Sequence, residues 1–197
     1  MKYSFLILFA VIIGCKSSTD QKINPGVSEE INRNDHEISS VELNETAPYQ
    51  ESIMLIGKAD RAGLEREEFK EWFGPGYREY SPNKEVLEKL KPLMENVDIT
   101  LFMGTWCEDS HRDVPHLYKI LDEVNYDDSK VEVYAVSEEK TTPQGYENGK
   151  NIIQVPTIIF NKDGKELGRI VEYSIYTLEQ DMLDILSGKD YKHPYSE

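Results

Sequence analysis

Cysteine is nearly absent from this chain: there are two in 197 residues, Cys15 and Cys107. Basic side chains are also scarce, with 22 Lys and Arg against 37 Asp and Glu and a formal net charge of −15. That balance excludes the basic footprint of generic DNA or RNA binding, so no nucleic-acid partner is expected. A long apolar run is missing too: the one from Phe5 to Ile13 is too short to span a bilayer as a stable helix. No internal repeat is visible, and His36, His116 and His193 show no ligand spacing, so neither a metal nor a cofactor is expected. Hydrophobic residues at 39% and charged residues at 30% suffice for one core with polar appendages.

The first fifteen residues, MKYSFLILFAVIIGC, carry one basic residue, an apolar stretch and a small residue before a cysteine. This is the layout of a secretory signal. The order Ile12-Ile13-Gly14-Cys15 resembles a bacterial lipobox. The resemblance implies a lipoprotein signal peptide over 1–14, cleavage before Cys15 and acyl chains on that residue. It places the domain outside the cytoplasm, anchored by lipid to a membrane of the bacterial envelope. Cys107 is then the only free thiol, and no internal disulfide forms in the mature chain.

Residues 15–48 are polar, lack periodicity and are expected to form a disordered tether. Residues 49–80 form an N-terminal extension, expected to pack on the main domain. It contains the apolar run SIMLIG and then Leu64, Phe69, Trp72 and Phe73 at loosely helical spacing. The main domain is expected over 81–188. A helix starts near Ser81 and Pro82, with Val86, Leu87, Leu90 and Leu93 inward. Ile99 to Met103 reads as a buried strand, and a second helix runs from about Cys107 to Val124. Val131 to Val136 alternates as a strand, and a polar loop follows to about Ile152. Thr157 to Phe160 and Leu167 to Tyr173 form a hairpin about Asp163-Gly164. A terminal helix spans Thr177 to Leu186, and 189–197 reads as a loose tail.

The stretch GTWCEDSHRDVP, from Gly104 to Pro115, places Trp106-Cys107 where an apolar strand meets a helix. Pro115 follows inside that helix, Val155-Pro156-Thr157 precedes a strand, and Gly164 sits in the next hairpin turn. In this order, over about 84–187, the residues resemble the thioredoxin-like superfamily. The resemblance implies a three-layer α/β/α sandwich with a central mixed sheet, here with an N-terminal helical extension. It also implies a cis peptide bond before Pro156, so that Val155, Pro156 and Thr157 form a substrate-binding edge opposite Cys107. Two departures stand out. The Cys-x-x-Cys of the family is Cys107-Glu108-Asp109-Ser110, and the buried acid that thioredoxins tend to carry six residues earlier is Leu101.

A helix N-terminus favours the thiolate of Cys107, while Glu108 and Asp109 oppose it. Ser110 is a candidate hydrogen-bond partner for the sulfur but cannot resolve a mixed disulfide. Thr105, Trp106 and His111 are the other active-site neighbours, with His111 a candidate for proton transfer. A mixed disulfide at Cys107 persists until an outside thiol attacks it. The expected activity is therefore monothiol thiol–disulfide exchange in the envelope, with protein thiols or disulfides and an external reducing thiol as partners. The alternative is a redox-inactive module that binds an extended peptide, with Cys107 incidental. A one-cysteine peroxidase is disfavoured, because Thr105 lies only two residues before the cysteine and the Pro-x-x-x-Thr-x-x-Cys pattern is missing.

Overall fold

The computed structural model describes residues 42–196. The expected signal peptide over 1–14, the expected lipidation at Cys15 and the expected tether as far as residue 41 lie outside the described residues. Within the stretch expected as a tether, residues 46–48 belong instead to a strand. The first hairpin pairs β1 (Thr46–Tyr49) with β2 (Ser52–Leu55), and Asn44 already donates its backbone N–H to Lys58 O at 2.9 Å. A local polar composition hid this strand, because its partners are supplied by the chain that follows.

A central five-stranded mixed sheet runs in the order β3-β5-β4-β6-β7 and is flanked by helices. The strands are β3 (Gly57–Ala59), β4 (Val97–Met103), β5 (Val131–Ala135), β6 (Thr157–Lys162) and β7 (Lys165–Val171). Only β4 and β5 are parallel; the other pairings are antiparallel. β4 lies at the centre, and six of its seven residues are buried, which is why VDITLFM is an apolar run rather than an alternating one. β3 belongs to the segment expected as an extension, so the main sheet begins well before residue 81. Three residues are too few to announce a strand without the partner β5. Asp163 and Gly164, at φ 52° and 75°, make the tight turn between β6 and β7.

Along β4 the odd-numbered Val97, Ile99, Leu101 and Met103 enter one large core with Val133, Ala135, Ile158, Phe160 and Ile170. Helices α2 (Phe73–Glu79), α3 (Lys84–Leu90), α4 (Glu108–Glu123) and α5 (Leu178–Leu186) close this core. Leu101, at the position where thioredoxins tend to hold an acid, is a fully buried member of it. The opposite face has a smaller core of Phe102, Tyr134, Val136, Val155 and Ile159. Its covering layer is the loop after β5, which contributes Tyr146 and Ile152.

Asn83, not Ser81, caps α3, its Oδ1 accepting from Glu85 N and Val86 N at 3.0 and 3.4 Å. Both Ser81 and Asn83 are cap formers, and the extended backbone of Asn83 decides between them. The chain before α3 docks on α4 through Arg61, in α1 (Arg61–Leu64). Its guanidinium meets both oxygens of Asp122 at 2.9 Å and Asp128 at 3.1 Å, and lies over the rings of Tyr77 and Tyr118. α2 crosses α4 closely at Gly76, where an added Cβ would lie 2.7 Å from Pro115 Cγ. The expected loose tail is also tied down. Tyr191 donates to Asp181 at 2.7 Å and Tyr195 donates to Glu172. Spaced single tyrosines give no periodicity, so the sequence alone does not mark them as contacts.

Candidate active site

β4 ends at Met103, and Gly104-Thr105-Trp106 turns the chain into α4, with Cys107 as its N-cap residue. The turn closes through Cys107 N to Gly104 O and His111 N to Cys107 O, both at 3.0 Å. Gly104 is required here: an added Cβ would sit 2.5 Å from the Trp106 ring. That indole packs on the smaller core and donates Nε1–H to Val136 O at 2.8 Å. Thr105 is buried, and its Oγ1 accepts the Leu55 N–H at 3.1 Å, joining the first hairpin to the turn.

Cys107 is half-buried, and its Sγ donates to the carbonyl of Val155 at 3.3 Å. The Val155–Pro156 bond is cis. Thr157 is fully buried, donates its hydroxyl to Gln154 O at 2.6 Å and begins β6 beside Phe102. Cys107 and the segment Val155-Pro156-Thr157 are thus brought together across a single hydrogen bond, although 48 residues separate Cys107 from Val155. In the thiol form Sγ has an acceptor. In the thiolate form that carbonyl opposes the charge, and the first-turn N–H groups of α4, which lack helical acceptors, favour it.

The neighbours divide. Ser110 is fully buried, and its Oγ accepts from Gly104 N at 3.3 Å; among the described residues no hydrogen bond joins it to Cys107. Its hydroxyl closes the turn beneath the sulfur. Glu108 is exposed on the first turn of α4. Asp109 meets Arg112 at 2.6 Å, so its charge is compensated locally. His111 Nε2 lies 2.8 Å from Thr105 O, which fixes that nitrogen as the N–H donor, and the ring stacks on Trp72 at 4.4 Å between centroids.

Trp72 and Arg112 escaped the sequence reading. Trp72 precedes α2, and its alignment with other apolar residues marked it as core rather than as a lid on His111. Arg112 forms a two-point pair with Asp113 at 2.8 and 2.9 Å and donates to Glu172 O at 3.3 Å. Asp113 and then Asp109 hold its guanidinium charged. Glu172 has a left-handed backbone, φ 66°, and donates its N–H to Pro156 O at 2.8 Å. A chain of contacts therefore runs from Cys107 through Val155, Pro156 and Glu172 back to Arg112. Adjacent opposite charges in a sequence give no hint of it. Nearby, burial pushes His116 below its ordinary range, and its ring stacks on Tyr80 at 3.8 Å. Among the described residues no grouping of His, Cys, Asp and Glu has the arrangement of a metal site, and no helix is long and apolar enough to cross a membrane.

The fold matches known proteins. A family model described as thioredoxin covers residues 63–182. The chain belongs to the thioredoxin family. The matched span reaches back to α1 and α2, so Trp72 lies inside the family domain. Among solved structures, this thioredoxin-family chain is similar to a Pseudomonas aeruginosa protein of unknown function, at 15% identity and TM-score 0.52, with 68% of this chain and 93% of that one covered. It is also similar to an HIV epitope-scaffold, at 15% identity and TM-score 0.51, with 68% and 94% covered. At that identity the likeness concerns the fold. A comparison with curated proteins found no match.

Proposed function

We propose that the protein is a monothiol thiol–disulfide exchange enzyme of the bacterial envelope, lipid-anchored through Cys15 and acting through Cys107. The observation that carries this reading is the half-buried sulfur at the N-terminus of α4, 3.3 Å from the carbonyl that precedes cis-Pro156. Val155 and Thr157 are themselves buried, and Thr157 is paired on both sides within the sheet, so an extended partner segment presents its disulfide to the accessible side of the half-buried sulfur rather than adding a strand there. The Cys107 thiolate attacks one sulfur of R–S–S–R′. The Cys107–S–R bond forms, the S–S bond breaks, and R′S⁻ leaves and takes a proton. An external thiol R″SH then loses its proton and attacks the adduct, giving R–S–S–R″ and free Cys107. No net oxidation occurs, and no second cysteine is needed. Ser110 supports this reading by closing the turn without offering a competing thiol.

The second reading, a peptide-binding module with an idle cysteine, is favoured by the Sγ–H bond to Val155 O, which satisfies the neutral thiol. The test uses the full chain carrying C15S, so that Cys107 is the one thiol. Exchange predicts a stable adduct with glutathione disulfide, released by added dithiothreitol, and alkylation faster than that of a free cysteine. Alkylation slower than the free residue and no adduct would establish the binding module instead.

A further inference from the structure

The sulfur and the segment before β6 are joined by more than the hydrogen bond between them. Sγ–H reaches Val155 O at 3.3 Å, and the cis peptide bond leads on to Pro156. Pro156 O accepts the Glu172 N–H at 2.8 Å, and Glu172 O accepts from Arg112 Nη2 at 3.3 Å. Arg112 lies on α4, whose backbone runs back to Cys107 at its N-cap. These links close a ring through the helix, the cis-proline and the turn after β7. Without the link at Arg112 the ring is open: the turn that holds Pro156 O is no longer tied to the helix that carries the sulfur.

Arg112 contributes geometry here rather than charge. Asp113, 4% exposed, takes its Nε and Nη2 at 2.8 and 2.9 Å, and Asp109 takes Nη1 at 2.6 Å. Two carboxylates compensate one guanidinium, which leaves little positive field for the sulfur. What remains is the rigid fork. With its plane fixed by Asp113, Nη2 keeps a direction toward Glu172 O. A lysine ammonium can pair with Asp113 but has no plane with which to hold both partners at once. Glu172 suits the receiving end, because its left-handed backbone, φ 66°, turns the N–H to Pro156 O while the carbonyl meets Arg112.

We infer that Arg112 is a positioning residue for Cys107, holding the Val155 carbonyl against the sulfur through Glu172 and Pro156. The inference rests on the exchange reading above, in which the thiolate is the attacking species. A carbonyl that accepts from the thiol opposes the thiolate, so a braced carbonyl restrains ionisation and one free to withdraw does not. The titratable groups about the sulfur are Glu108, Asp109, His111 and Asp113 on its own helix, Tyr146 from the loop after β5 and Glu172 beyond the cis-proline. R112K changes none of them and keeps a cation beside Asp109 and Asp113, so it removes the fork alone.

The test compares the full chain carrying C15S with the same chain carrying R112K as well. The alkylation rate of Cys107 followed from about pH 5 to 10 gives a midpoint for each. Opening the ring removes a restraint the size of one hydrogen bond, so the R112K midpoint should lie about 0.5–1 pH unit lower. Below both midpoints, R112K should form its adduct with glutathione disulfide about two- to threefold faster, because the larger thiolate fraction outweighs its weaker nucleophilicity. In that step the Cys107 thiolate attacks one glutathione sulfur, the Cys107–glutathione bond forms, the old S–S bond breaks and the second glutathione leaves as the thiolate. A lower melting temperature with an unchanged midpoint would make Arg112 a purely structural residue and overturn the inference. A higher midpoint would overturn it too, and in both cases an adduct that still forms leaves the exchange reading standing. A second measurement needs no variant. In the native chain the Glu172 amide should exchange with solvent as slowly as the amides of β6, and exchange as fast as in the loop after β5 would show the ring open and overturn the inference. No adduct in either chain would remove the exchange reading, and this role of Arg112 with it.

Discussion

At the scale of single residues, the site is organised by what surrounds the sulfur. Ser110 is the sharpest case. It occupies the place of a resolving cysteine but is fully buried, with its Oγ on Gly104 N. S110C restores a second thiol at the cost of about 1 kcal/mol for the exchanged hydrogen bond. The expected outcome is that a Cys107 adduct, persistent in the native chain, is released by internal attack in S110C; mass spectrometry of the adduct over time decides it. Thr105 gives a second prediction. T105V keeps the shape but leaves the Leu55 N–H buried without its acceptor, at a cost of about 1–3 kcal/mol. Urea denaturation should show that loss, and a cost near zero would mean that the first hairpin lifts away from the turn. The sequence made much of this site legible. Cys107, Trp106 and Pro156 are short-range signals: a cysteine after an apolar strand, and a proline before another. The partners of Thr105 and Ser110 were not legible, because a hydroxyl in a turn has many possible acceptors and donors until the chain closes around it.

At the scale of elements, the sheet and three of its helices follow from periodicity, while the segment before α3 does not. β3 has three residues and becomes a strand only by pairing with β5. α2 contains Gly74, Pro75 and Gly76, a composition that reads as a helix end rather than a helix. Tertiary contact overrides it, since the absence of a side chain at Gly76 is what lets α2 lie on Pro115 of α4. In G76A the new Cβ meets the proline ring rather than a flexible chain end, so α2 must shift. The expected cost is about 1–3 kcal/mol from overpacking. The shift also reaches the site: Trp72 immediately precedes α2 and stacks on His111. The melting temperature should fall, and the alkylation rate of Cys107 should change together with the histidine ring resonances. A fall in melting temperature with both site signals unchanged would separate the extension from the site.

At the scale of the whole molecule, stability should depend on pH in two windows with the same sign. Burial holds His116 below its ordinary range in the folded state. Above about pH 6.5 it is neutral in both states. As pH falls below that value the unfolded chain binds the proton first, so stability is lost until the lower folded value is passed. Asp122 and Glu179 act further down. The Arg61 guanidinium, against some burial, holds Asp122 below its usual carboxylate range. Burial opposes the charge on Glu179, but the Asn83 N–H and the Tyr80 hydroxyl outweigh it and bring that carboxyl down as well. Their contribution is present above about pH 4 and is lost as pH falls through the folded values. The formal charge of −15 works in the opposite direction, because protonating exposed carboxylates relieves repulsion in the compact state. Raw stability curves mix these effects, so the informative quantity is the difference between variants and the native chain, which share that background. H116N should lower stability at pH 8 through the lost stack on Tyr80, with a deficit that shrinks as pH falls from about 6.5. D122N should show its largest deficit above about pH 4 and converge on the native chain below it. Urea midpoints across pH 3 to 8 measure both. A deficit of H116N that stays constant through its window would mean that His116 titrates alike in the folded and unfolded chains.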